Sequence, residues 1–133
     1  MIIEIILGAL IAGILLWAGS FVKMLKSFDT WRIGLVIAAL VYLIMLCFQF
    51  SREWLFIELI GLVVYTSLAL ASKHIHPIWL SAGWMLHIGW DVFVHGGGHP
   101  GYVPVWYPGV CIGFDIIIAI YALNLVRRKK ASL

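Results

Sequence analysis

The sequence predicts an all-α fold, a polytopic membrane bundle of about five helices, and three observations predict it. Hydrophobic residues make up 64% of the 133 residues, charged residues 11%, and the mean hydropathy is +1.08, whereas soluble domains spend about a quarter of their residues on charge. The apolar residues fall into runs long enough to cross a bilayer, for which about 20 residues span about 30 Å of hydrocarbon. These runs are continuous. Hydrocarbon offers no partner to backbone N–H and C=O groups, so such runs are helical, and a strand barrel would instead show alternating segments of about ten residues. Residues 1–133 hold at most five such crossings, one bundle without a separate soluble domain.

The first run, Ile2 to Phe21, carries Glu4 where a secretory signal needs a positive n-region, and it has no convincing cleavage site, so it reads as a retained first helix. The second runs from Ile33 to Phe50, the third from Trp54 to Ala71, the fourth from Ile78 to His95 and the fifth from Trp106 to Val126. Trp31, Trp54, Trp79 and Trp106 stand near span ends, where an amphipathic indole is at home. Small residues four apart, Gly8/Ala12, Ala9/Gly13 and Gly109/Gly113, would let helices approach closely. Between the fourth and fifth helices, the segment from Gly96 to Pro104 holds three consecutive glycines and two prolines, which cannot continue a helix; it is an outer loop that either merely reverses the chain or also caps a site.

Basic residues set the orientation. With the Arg127-Arg128-Lys129-Lys130 tail in the cytoplasm, alternation places Lys23, Lys26, Arg32 and Lys73 on the same side and only Arg52 outside, so the topology is N-out and C-in in the cell membrane. The formal charge of +3 sits in these helix-flanking clusters, not on an amphipathic face, which makes the partner a lipid bilayer and not nucleic acid. Cys47 and Cys111 are too few for a disulfide framework. The chain has no phosphate-cradling loop, dinucleotide fingerprint, nucleophile elbow or paired CxxC, and no residue is marked as catalytic.

Ionisable groups inside a bilayer are costly and normally face the bundle interior, so Glu4, Glu58, His87, Asp91, His95 and Asp115 are the informative residues. His87, Asp91 and His95 follow at i, i+4 and i+8 and share one helix face. With the outer span ends set at Trp54, His95 and Trp106, Glu58 and Asp91 lie about 6 Å below the outer surface, Cys111 about 7.5 Å, His87 about 12 Å and Asp115 about 13.5 Å. Two tiers follow: Glu58, Asp91 and Cys111 above, His87 and Asp115 below. His74 and His76 fall at the opposite, inner side, in a solvated turn. A bis-histidine haem finds no second histidine at the depth of His87.

Gly83-Trp84-x-x-His87-x-Gly89-Trp90-Asp91-x-x-x-His95, followed by prolines and Cys111-x-x-x-Asp115, resembles an uncharacterised family of small integral membrane proteins, the domain of unknown function 6010, over roughly the last 50 residues. The family pattern has paired histidines where this chain has Val94-His95, and a second cysteine where it has Phe114. The resemblance implies that the polar seam is one unit and names no reaction.

Three readings of the seam follow. His87 and Asp115 act as an interhelical clamp in a structural or accessory subunit. Alternatively His87, Asp91 and Asp115 hold a divalent metal such as zinc, with Glu58, His95 and Cys111 as outer candidates, in a metal-dependent membrane enzyme. The third is a proton relay or small-solute transport component, whose inner half (Thr66, Ser67, Tyr121, Asn124) is sparse and would need a homo-oligomer or a larger membrane complex to complete it. The orientation is directly testable: a reporter that works only in the cytoplasm, fused after Leu133, is expected to be active, and activity of a reporter restricted to the outside would reverse the topology.

Overall fold

Each apolar run becomes a helix, and capping groups and turn chemistry, more than hydropathy, decide where it starts and stops. In the computed structural model, which describes residues 1–96 and 101–131, the order is α1 (Ile2–Gly19), a 3-10 turn (Lys23–Lys26), α2 (Phe28–Leu46), α3 (Arg52–His74), α4 (Ile78–Phe93) and α5 (Tyr107–Ala131). The described residues contain no strand. Of the five helices, α1, α2, α3 and α5 are long and apolar enough to cross a membrane. At 16 residues, α4 is about 24 Å long and falls short of that length.

Several boundaries differ from the apolar runs. α2 begins at Phe28 and not at Ile33, because the Ser27 hydroxyl accepts the Asp29 N–H at 3.1 Å and caps the first turn. It ends at Leu46, where Cys47, Phe48 and Gln49 tighten into i→i−3 bonds, four residues before the run ends at Phe50. α3 and α5 extend beyond Ala71 and Val126 into Lys73 and Arg128–Lys130, since cations suit a helix C-terminus and water tolerates the turn that hydrocarbon would not. Hydropathy marks the edge of the apolar layer, whereas backbone hydrogen bonds carry the helix past it.

The helices pack in the order α1–α5–α4–α3–α2, with further contacts from α2 to α4 and α5; α1 and α2 make no helix–helix contact among the described residues. The α1–α5 contact depends on glycine. A Cβ on Gly8 would lie 1.9 Å from the Val110 carbonyl oxygen, and one on Gly113 would lie 1.9 Å from that of Ile5. The two backbones therefore touch, the close approach that small residues allow between membrane helices. Of the four-residue pairs, Gly8/Ala12 and Gly109/Gly113 face this seam, while Gly13 is exposed and faces open space.

Two buried clusters fill the bundle. The larger joins Ala12, Leu35, Leu80, Trp84, Ile118 and Ala122, and the smaller joins Tyr42, Leu46, Tyr102 and Val103. Trp31 is not a span-end anchor: it is 3% exposed and donates from Nε1 to the Leu25 carbonyl at 2.9 Å, which ties α2 to the 3-10 turn. Trp79 and Trp106, 41% and 54% exposed, keep the span-end placement. Large apolar side chains such as Ile14, Ile37, Ile60, Val63 and Ile120 are exposed around the bundle, the arrangement expected of a surface that meets lipid. Gly113→Leu is expected to separate α1 from α5 and to destabilise the bundle by about 1–3 kcal/mol or more, whereas Gly13→Leu should be near neutral; thermal unfolding of both variants in detergent distinguishes them.

Candidate functional site

α4 carries His87 and Asp91 one turn apart, and α5 carries Asp115 against them. All three are buried, with exposures of 1%, 0% and 2%. One ligand atom from each of the three lies within 4.8 Å of the others. His87 Nδ1 is 2.7 Å from Asp115 Oδ2 and 3.6 Å from Asp91 Oδ2. The Tyr42 hydroxyl, from α2, donates to Asp91 Oδ1 at 2.5 Å. Asp91 Oδ2 and His87 Nε2 are buried without a hydrogen-bond partner. His87 is also flanked by the Tyr65 ring at 4.9 Å, an edge-on contact from α3. Four helices thus converge on one imidazole and two carboxylates.

A second cluster lies at the outer end. His95 Nε2 is 3.0 Å from Glu58 Oε1, at an angle too poor for a hydrogen bond, and Glu58 accepts a bond from the Tyr102 hydroxyl at 2.6 Å. Burial and this bond to Glu58 hold the Tyr102 phenol above its ordinary range. The His95 ring stacks on Tyr42 at 4.0 Å and 4°, with Trp54 on it at 5.9 Å. Tyr42 therefore touches both clusters, its hydroxyl on Asp91 and its ring on His95.

The two depth tiers thus regroup. Asp91 does not sit with Glu58; it joins His87 and Asp115, and Glu58 instead meets His95 and Tyr102. His87 and Asp91 are i,i+4 neighbours on α4, so their side chains meet across the one-turn axial offset that separated the tiers. Cys111 lies beside the Tyr42 and Tyr107 hydroxyls at the edge of the inner cluster. Glu4 joins neither cluster; it pairs with the N-terminal ammonium at the start of α1. His76 Nδ1 accepts the Ile78 N–H at 3.1 Å and His74 is exposed, consistent with an inner turn.

Of the Gly96-to-Pro104 loop, 97–100 lie outside the described residues. Residues 101–103 fold over the outer cluster: Tyr102 and Val103 are 8% and 3% exposed, and a Cβ on Gly101 would lie 2.9 Å from the Gln49 amide. Two cavities reach the inner cluster. One of about 420 Å³, lined by Glu4, Asp91, Gly96, Val105 and Pro108, opens at the outer end of α1, α4 and α5. The other, of about 550 Å³, reaches Asp115 from the side.

Sequence reasoning missed Tyr42, Tyr65 and Tyr102 and gave Trp54 only an anchoring role. A signal was present for the first two, because tyrosine favours membrane–water interfaces and both stand well inside apolar runs, where a hydroxyl needs a partner. Tyr42→Phe is expected to strand Asp91 Oδ1 and to cost about 1–3 kcal/mol of stability. Tyr65→Phe should cost less, since its hydroxyl reaches only the Leu86 carbonyl at 3.4 Å; unfolding of the two variants side by side in detergent is the check, and equal losses would remove the special role of Tyr42.

The chain matches no family model, no curated protein and no solved structure, so the site rests on its own geometry.

Proposed function

We propose that the chain is a multi-pass cell-membrane protein, N-out and C-in, in which His87, Asp91 and Asp115 bind one divalent cation, such as zinc, and form the centre of a metal-dependent membrane enzyme. The observation that carries this reading is the approach of three ligand atoms from two helices to within 4.8 Å inside an apolar bundle. Two ligands bonded to one tetrahedral zinc at about 2.0–2.1 Å stand about 3.3 Å apart. The separations of 2.7 Å and 3.6 Å from His87 Nδ1 bracket that value.

Charge supports the same reading. Two carboxylates with a neutral imidazole sum to −2, and one divalent cation cancels that sum. All nine Lys and Arg lie outside the seam, so no side-chain cation competes for the role. Uncompensated carboxylates in hydrocarbon would each be costly. Three protein ligands leave a position for water, whose pKa a bound zinc lowers to about 7, and the outer cavity at Asp91 gives that water an entrance. Tyr42 would orient Asp91 in the manner of an outer-shell partner.

A relay toward the inner side has less support. Below Asp115 the core is Leu80, Ile118, Ala119 and Ala122, and the Ser81 hydroxyl is spent on the Ala119 carbonyl at 2.9 Å. The short His87–Asp115 bond favours the clamp as the competing reading, and the metal experiment separates the two. Purified protein equilibrated with zinc is expected to retain one ion per chain by elemental mass spectrometry. Asp91→Asn should lose it while remaining folded, because Asn still accepts the Tyr42 hydroxyl. Zinc at a hundred times its dissociation constant should stabilise the wild type by about 2.7 kcal/mol and leave Asp91→Asn unchanged. A wild-type protein that keeps no stoichiometric ion and gains no stability from any divalent metal leaves the clamp.

A further inference from the structure

Because α1 and α2 do not touch, the bundle has a gap on one side, closed below by the 3-10 turn and backed by α5. Its volume of about 550 Å³ lies within the range of about 300–1,000 Å³ typical of ligand sites. The walls are apolar: Leu15 from α1, Met24 from the turn, Ile33 and Ile37 from α2, Val110 and Phe114 from α5. Polar groups are confined to particular places. Thr30 is spent on the Met24 carbonyl at 2.6 Å, and Tyr107, Cys111 and Asp115 follow one another along α5 at the back. Tyr107 to Asp115 covers about 12 Å of helix, so the gap is elongated, and at its deep end it meets a carboxylate of the proposed metal centre.

A second observation points to an occupant. Trp84 lines the same gap, is 2% exposed, and its Nε1 donor has no partner. A buried donor without a partner is costly, and an acceptor oxygen carried by a molecule in the gap would take it. Gly34 stands opposite the indole, where a Cβ would make ordinary van der Waals contact with the Trp84 ring at 3.4 Å.

We infer that this lateral groove between α1 and α2 takes one acyl chain of a bilayer lipid and lays it against Asp115, which makes a long-chain lipid the substrate class of the site. The medium at the mouth fixes the choice. The flanking faces carry exposed Leu10, Ile14, Ile33, Ile37 and Ile44, so on a membrane-spanning bundle the groove opens into hydrocarbon, not water. A chain entering there exchanges one apolar environment for another; the shape of the groove selects the hydrocarbon, and the carbonyl oxygen at the head of the chain is the acceptor for Trp84 Nε1. Water and ions have a separate approach, through the outer cavity at Asp91. The two cavities reach different carboxylates of one cluster, so the apolar reactant and the polar one arrive from opposite sides.

The chemistry assigned to the chain rests on the metal reading, whereas binding of the chain does not, and the test keeps them apart. The protein is placed in vesicles of phosphatidylcholine containing a fraction of the same lipid with a diazirine midway along one acyl chain, irradiated and mapped by peptide mass spectrometry. Labelling at Ile37, Cys111 and Phe114 is expected to exceed that at Ile60 and Met85, which face lipid away from the groove. Ala38→Phe, at a half-buried residue of the groove wall that also packs against the core, should reduce groove labelling at least fivefold with Ile60 and Met85 labelled as before, and an unchanged unfolding temperature in detergent shows that the core is intact. Ile60→Phe should change nothing in the groove. Equal labelling of groove and outer faces, or groove labelling indifferent to Ala38→Phe, would overturn the assignment and mean that ordinary surrounding lipid touches the protein everywhere alike. Repeating the experiment with Asp91→Asn separates the two proposals: groove labelling that persists without bound metal upholds the chain site even where the metal reading fails.

Discussion

Carboxylates sealed in an apolar bundle have to be neutralised where they sit, and this constraint organises the protein. Glu58, Asp91 and Asp115 are each at most 2% exposed, and the groups that answer them are two imidazoles and two phenols, not lysine or arginine. The partners come from two helices and the loop: Tyr42 from α2, His87 and His95 from α4 and its end, Tyr102 from the loop. The polar groups therefore bind the helices together in a way that non-directional apolar contact cannot, because each bond specifies one partner and one rotation. At the inner cluster two carboxylates share one imidazole and one phenol, the imbalance on which the proposed cation site rests.

Glycine supplies the complementary constraint. The α1–α5 seam brings backbone to backbone at Gly8 and Gly113, so α1 leans on α5 and stays clear of α2. The lateral groove is a consequence of that choice. A helix held by small residues occupies little width, and the space a fully closed five-helix ring would have filled is left open beside Asp115. Packing and access to the site are thus set by the same contact.

The aromatic residues join the two polar clusters. Tyr42 stacks on His95 and bonds Asp91, so the outer and inner clusters share a member. A change at the outer loop, through Tyr102 and Glu58 to His95, has a packed route to Asp91. Trp54 and Tyr102 pack against each other and against His95 at the loop end of this route.

The sequence alone determined that this chain is helical, that four of its helices are long and apolar enough to cross a membrane, and that His87 and Asp91 share a face, because these properties depend on local composition and a period of 3.6 residues. It also identified Asp115 as the third member, from its place on the following helix. The tertiary structure alone decided that Glu58 meets His95 and not Asp91, whereas the His87–Asp115 pair was already legible in their similar depths. Asp91 and Asp115 differ by about 7.5 Å in axial depth when helices are taken as upright and level, yet both reach His87, Asp91 as its i,i+4 neighbour on α4 and Asp115 across the α4–α5 contact. The partners Tyr42 and Tyr102, 49 and 44 residues from the carboxylates they bond, and the gap between α1 and α2 are equally out of reach of any local pattern. They arise from how five helices share one interior, and that is fixed by contacts between residues far apart in the chain.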